Sequence, residues 1–135
     1  MTDPMYDRGL AIRQQMFGAE ATAGHIANAD DFTRDLQDMV TRFCFGEVWG
    51  REELPLKERS MVTVAMLCAL GRPDELKVHI RGAISNGVSK VELREIFLQA
   101  AAYCGIPAAV GGFRAAYEAF AEIERDEQIA DPSRA

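Results

Sequence analysis

Hydrophobic residues recur along this chain with a helical period, and nowhere do they alternate with polar ones over a strand-length run. Leu10, Ile12, Met16 and Phe17 lie among Arg8, Arg13, Gln14 and Gln15, which predicts a helix from Met5 to Phe17 ended by Gly18. Ala19 to Asn28 is small and polar, a loop or a weak helical turn. Asp30 or Asp31 is placed to cap a second helix, in which Phe32, Leu36, Met39, Val40 and Phe43 make one apolar face. Two glycines and two aromatics in Phe45-Gly46-Glu47-Val48-Trp49-Gly50 break that pattern, and Pro55 suits the first turn of the next helix.

The stretch from Glu58 to Asn86 reads as two helices meeting at Gly71-Arg72-Pro73. The first is apolar on most sides (Met61, Val62, Val64, Ala65, Met66, Leu67, Cys68, Leu70), which predicts central burial. It is too short for a bilayer, which needs about 20 apolar residues. The second is amphipathic, opened by Pro73 and Asp74 and closed by Gly87. Ser89 and Glu92 form a capping box for a fifth helix reaching Tyr103. After Gly105-Ile106-Pro107, a sixth runs from about Pro107 to Glu124, with Phe113, Ala116, Tyr117 and Phe120 facing inward. The tail from about residue 126 is polar and expected to fray. The expected architecture is all-α, about six helices in one domain spanning 1–135.

Composition narrows the function classes. A net charge of −6 argues against nucleic acid, and no basic tract suits an anionic membrane. The acidic, polar start MTDPMYDRGL lacks the apolar core of a secretory signal. Cys44, Cys68 and Cys104 are odd in number and set in apolar contexts, the pattern of reduced thiols, so a cytoplasmic location is expected. At 135 residues with 48% apolar content, oligomerisation would help to cover so much apolar helix surface.

His79 is the leading candidate for chemistry. It lies four residues after Glu75, within reach on a helix surface. A carboxylate there would raise and orient the imidazole for general-acid work, or the two would form an ordinary surface ion pair. Arg72 and Asn86 each lie seven positions from His79. Glu47, between aromatics and glycines, sits either in a partly dry cleft or in solvent while Phe45 and Trp49 pack. Arg51, Arg59 and Arg72, near helix ends, could hold an anionic substrate, with surface ion pairing as the alternative. No C-x-x-C, phosphate loop or nucleophile elbow occurs. The two histidines are 54 positions apart, so no metal site is expected.

The segments YDRGLAIRQQMFG (6–18), RFCFGEVWGREELPLKERSMVTVAML (42–67), DELKVHIRGAISNGVSKVELREIFLQ (74–99) and AAYCGIPAA (101–109) resemble the carboxymuconolactone decarboxylase family. The resemblance covers about Met5 to Glu124. It implies an all-helical fold shared with alkyl-hydroperoxidase D proteins, assembled as a homotrimer or homohexamer. The redox branch resembles E…C-x-x-C-x-x-x-H. Aligning its histidine with His79 puts its cysteines at Arg72 and Glu75 and its glutamate at Ser60. Thiol peroxidase activity is therefore not expected.

The resemblance implies cofactor-free decarboxylation of 4-carboxymuconolactone to the β-ketoadipate enol-lactone in protocatechuate breakdown. In that reaction the lactone takes up the electrons released with CO2. The implied roles are His79 as general acid or oxyanion donor, with Glu47 and Glu75 tuning or relaying its proton. Arg51, Arg59 or Arg72 would bind carboxylate, and Trp49 and Tyr103 would form pocket walls. A paralogue acting on another lactone or keto acid, or a non-catalytic binding protein, are the rival readings.

Overall fold

A computed structural model describes residues 2–134, which group into two compact units that divide between Arg59 and Ser60. Among the described residues there are seven α-helices, one π-helical segment, one short 3-10 helix and no strand. Among the described residues, no helix is long and apolar enough to cross a membrane.

In the first unit, α1 (Pro4–Phe17) starts with Pro4 in its first turn, and the Asp3 carboxylate accepts the Tyr6 N–H at 3.2 Å. Gly18 closes it at φ 91°, a backbone angle only glycine adopts cheaply. The next segment, expected as a loop or weak turn, is a helix, α2 (Ala19–Ala27). Its four alanines favour helix strongly yet leave no amphipathic stripe for a periodicity argument to detect. Asp30 does not cap a helix at Phe32. Its carboxylate accepts the N–H groups of Phe32 and Thr33 in a tight turn, which delays α3 to Arg34–Met39.

The chain then widens into a π-helical segment, Val40–Val48, shown by the Trp49 N–H bonding the Cys44 carbonyl at 2.8 Å. The expected inward face does not form, because Phe32 sits in the Asp30 turn ahead of α3 and it is the π-helical segment, not α3, that packs on α1. Phe32 is 94% exposed, and Leu36, Met39 and Phe43 are each more than half exposed. Thr41, Phe45 and Gly46 are buried instead. The segment packs on α1 almost backbone to backbone: a Cβ on Gly9 would lie 1.8 Å from the Thr41 carbonyl oxygen. Met16, Phe45 and Trp49 form the small core, joined by Ile12, Phe17, Val40, Cys44 and Leu56. Phe45 and Trp49 stack at 5.8 Å.

The second unit holds most of α4 (Leu56–Leu70), then α5 (Pro73–Ser85), α6 (Lys90–Cys104) and α7 (Ile106–Ala130). α4 is not buried all round: Ser60, Val64 and Cys68 form its buried line, while Val62, Met66 and Leu70 are exposed. Gly71 (φ 67°) ends α4 with the Arg72 N–H bonding the Leu67 carbonyl. Gly87 (φ 95°) ends α5 likewise, with the Val88 N–H bonding the Ala83 carbonyl. Both are Schellman closures. The Ser89–Glu92 capping box forms as expected.

Leu76, Ile80 and Ala83 of α5 pack with Leu93 and Phe97 of α6 and Ala115, Ala116 and Ala119 of α7. Lys77 and Arg81 fasten one flank of α5 to α7, Lys77 to Glu122 at 2.9 Å and Arg81 to both Glu122 and Asp126. Tyr117, expected inward, is exposed. α7 continues past the expected end at Glu124 to Ala130, and a 3-10 turn (Pro132–Arg134) follows, because the polar tail has good helix formers and no breaker before Asp131.

These contacts give opposite signs for two glycine-to-alanine changes. Gly9→Ala drives a methyl into a backbone carbonyl and should destabilise by about 1–3 kcal/mol. Gly111, on α7, has open space around it. Gly111→Ala should stabilise by about 0.5–1 kcal/mol. Urea midpoints at constant m check both, and a neutral Gly9→Ala would refute the backbone contact.

Candidate active site

The buried stripe of α5 fixes where its polar residues lie. With about 100° of turn per residue, His79 falls roughly 160° around the helix from both Lys77 and Arg81. It therefore borders the apolar stripe on the flank opposite the ion-paired one. Arg72 and Asn86 share that flank at seven-residue spacing, with Glu75 beside them. Asn86 donates through its side-chain amide to the buried Ser60 hydroxyl of α4 at 2.9 Å, which ties the C-terminal end of this flank to α4.

His79 is half-buried, with its Nδ1 shielded from solvent. Burial pushes the imidazole below its ordinary value of 6.5. The upward shift expected from a neighbouring carboxylate does not occur, because Glu75 turns away to Arg72. The two form an exposed pair at 2.9 Å, which lowers the Glu75 carboxyl and raises the Arg72 guanidinium. Near neutral pH the flank thus presents a neutral imidazole, an ionised carboxylate and a guanidinium.

The other candidates are placed differently. Glu47 is exposed on the π-helical segment, while Phe45 and Trp49 are buried beside it. Of the two environments left open for Glu47, the solvent-facing one is observed. Trp49 fills the core of the first unit rather than walling a recess. Arg51 is exposed, and its carbonyl accepts from Arg59 Nη2 at 3.1 Å. Arg59 Nε also donates to the Leu54 carbonyl at 3.0 Å, so Arg59 braces the connection that precedes α4. Tyr103 is 82% exposed and edges an apolar groove of about 520 Å³ between α4 and α6, lined also by Met61, Ala65, Ile96 and Cys104. No α5 residue lines that groove, so Tyr103 does not share it with His79.

Cys68 is buried, its thiol donates to the Ala108 carbonyl at 3.2 Å, and burial pushes its pKa up. Such a thiol is a packing group rather than a nucleophile. Among the described residues, no three His, Cys, Asp or Glu side chains converge as metal ligands.

Two buried polar features escaped the sequence reading. The Ser60–Asn86 bond joins residues 26 apart and leaves no local pattern. Arg13 is only 5% exposed, donating to Gln37 Oε1 at 3.1 Å and Thr41 Oγ1 at 2.8 Å, with its guanidinium 5.8 Å from the Phe45 ring centre. Its spacing from buried Gly9 and Met16 is the one signal that points inward, against its charge.

Comparison with known proteins adds to this geometry. A 4-carboxymuconolactone decarboxylase from Acinetobacter baylyi is 42% identical over 118 residues, 87% of this chain and 88% of that one. A nitrosuccinic acid decarboxylase from Metarhizium robertsii is 39% identical over 106 residues, 78% of this chain and 74% of its own. Residues 34–118, which contain all of α3 to α6 and the first half of α7, match the carboxymuconolactone decarboxylase family. The protein belongs to that family.

Proposed function

We propose that this protein is a carboxy-lyase that decarboxylates 4-carboxymuconolactone, or a close carboxylated lactone, to the β-ketoadipate enol-lactone. The observation that carries the reading is the 42% identity to a decarboxylase of that name across nearly the whole of both chains. The chemistry asks little of a cofactor. The C–C bond to the departing carboxylate breaks, its electron pair enters the conjugated lactone as a dienolate, CO2 leaves, and a proton is then added at carbon. The protein's task is to stabilise the developing oxyanion and to keep water from the departing carboxylate.

His79 serves as the oxyanion donor. Of the two roles open to it, donor and general acid, burial favours the donor, since a neutral imidazole N–H polarises an oxygen without being protonated. Arg72, on the same flank, clamps the substrate's second carboxylate once Glu75 yields it. An exposed ion pair costs little to exchange. Glu47 and Arg51, both exposed, are weaker candidates, and the positions of Arg59, Trp49 and Tyr103 give them no part in this site. The chain self-associates as a trimer or hexamer in the cytoplasm. Support comes from the exposed Phe32, Leu36, Met39 and Phe43 and, in the second unit, Val62, Met66 and Leu70.

A specific observation favours one alternative. The relative named for nitrosuccinic acid, which is not a lactone, aligns with 78% of this chain, which supports a non-lactone acid as substrate. Incubating purified protein with each acid and following CO2 and product by chromatography separates the two. Turnover of the lactone alone is expected, and turnover of nitrosuccinate alone would replace the named substrate.

His79→Gln and His79→Ala should each lower kcat by about 10²–10³-fold with the fold retained by circular dichroism. Near-wild-type kcat in both would remove His79 from the chemistry. Arg72→Gln should raise KM more than it lowers kcat.

The pH profile separates donor from acid. A neutral donor keeps kcat flat through neutrality and loses it only as pH falls through the depressed pKa of His79. A general acid loses rate as pH rises through the same value. The same burial links His79 to stability. The unfolded imidazole protonates near 6.5 and the folded one resists, so stability should be full above pH 6.5 and decline as pH falls towards the folded value. His79→Gln should flatten that slope in urea titrations between pH 7 and 5. An unchanged slope would show that the imidazole is not desolvated.

A further inference from the structure

The second unit contains a recess that the proposed reaction does not use. On α6, Lys90, Leu93, Arg94 and Phe97 fall at spacings of 3, 1 and 3, and on α7 Phe113, Ala116, Tyr117 and Phe120 repeat the same spacings. Each helix therefore turns one line of four residues to the other, and between them lies a cavity of about 160 Å³. No α5 residue lines it, so it is separate from the His79 flank.

Two small residues create the space. Ala116 leaves a gap in the middle of the α7 line. Gly112 lets the Phe97 ring lie directly on α7, since a Cβ there would meet its Cδ1 at 2.5 Å. Phe97 and Phe113 meet edge to face at 5.3 Å. The walls are thus hydrocarbon and ring. A cavity of about 150 Å³ lined by apolar side chains binds benzene, so this one matches a single six-membered ring in volume.

The mouth has the opposite character. Lys90 and Arg94 are one turn apart on α6, and Lys90 Nζ stands 4.5 Å from the Phe120 ring centre. The cation–π contact holds the ammonium of exposed Lys90 over the aromatic wall. Arg94 is turned towards its neighbour Glu95 at 3.3 Å, with both side chains more than half exposed, so that pair is weak and exchangeable. Tyr117 is 74% exposed and sets its ring against the same edge.

An apolar, ring-sized floor beneath two cations selects for one kind of molecule. We infer that this recess is a second binding site, for a small aryl carboxylate of benzoate size, with the ring between Phe97, Phe113 and Phe120 and the carboxylate at Lys90 and Arg94. A neutral ring gains only the floor, and acetate only the mouth. Dicarboxylates carry a second charge that the ring-lined floor would have to desolvate.

The test is a titration of the full-length protein with benzoate, benzyl alcohol and acetate, followed by calorimetry and by NMR of isotope-labelled phenylalanine rings. Benzoate should bind with Kd on the order of millimolar, as expected for so few heavy atoms, and shift the ring signals of Phe97, Phe113 and Phe120. Lys90→Gln combined with Arg94→Gln, both at the mouth, should weaken benzoate roughly tenfold and leave benzyl alcohol unchanged. Ala116→Leu should abolish both by filling the cavity. His79→Gln should change neither, which separates this site from the reaction centre. Absence of ring shifts, or shifts confined to other phenylalanines, would overturn the site. Equal binding in the double variant would overturn the carboxylate class, and loss of benzoate in His79→Gln would return the ligand to the α5 flank.

Discussion

Burial of the Leu76–Ile80–Ala83 stripe is the constraint on which the second unit depends. These three side chains are almost wholly removed from solvent, and together they leave α5 one orientation against α6 and α7. At about 25 cal/mol per Å² of apolar surface, burying them outweighs any of the unit's surface ion pairs. Everything polar on the helix is then placed by its angle from the stripe. Lys77 and Arg81 fall on the flank that meets Glu122 and Asp126, where they settle the register of α5 on α7. His79 falls on the other border, close enough to the stripe to lose water and far enough to retain access. Its depressed pKa follows from hydrophobic packing rather than from a designed charge partner.

The first unit solves a different problem with a different device. A π-helical segment gives up hydrogen-bond geometry for a wider turn, and here the wider turn brings Thr41, Phe45 and Gly46 against α1. The missing side chains at Gly9 and Gly46 permit that approach, for a Cβ at either position would run into the opposing backbone. Arg13 answers the polar groups that such close packing buries. One of its nitrogens meets both Gln37 and Thr41, and Thr41 in turn donates to the Gln37 carbonyl. The cost is a desolvated guanidinium, whose pKa is lowered accordingly.

What the sequence made legible followed from physics that is local. The caps at Gly18, Gly71, Gly87 and Ser89 are each a residue type whose geometry is settled within four positions, and the structure has them where the sequence did. The α5 stripe was readable for the same reason. The failures have one common cause, which is that periodicity assumes 3.6 residues per turn and a large apolar side chain on the inside. Alanine-rich α2 offers no stripe of large side chains. Phe32 falls in the Asp30 turn before α3 begins, and only from Val40 does the period change, so one continuous face from Phe32 to Phe43 never forms. For the candidate site, His79 and its flank were visible because they share one helix. The packing of Trp49 was one of two readings the local sequence left open, and the turning of Glu75 to Arg72 is a local i,i+3 choice over His79. The bond from Asn86 to Ser60 depends on a tertiary neighbour that no local pattern encodes.

The protonation states on the α5 flank constrain how the proposed reaction can divide its labour. A neutral His79 stabilises an oxyanion but is a poor source of a proton, because its single remaining N–H is far too weakly acidic to be released near neutrality. Glu75 is equally unsuited. Its bond to Arg72 favours the carboxylate, so it carries no proton to give. The electron pair left by CO2 does not demand an immediate proton, since the conjugated lactone spreads the charge onto oxygen, where a neutral hydrogen-bond donor suffices. Protonation at carbon is then a separate, later step, and solvent admitted after CO2 departs is an adequate acid for it. The flank is therefore better matched to a two-step path than to concerted acid catalysis. Its decisive requirement is that His79 stay dry enough to remain neutral, a condition set by the same apolar stripe that fixes the helix.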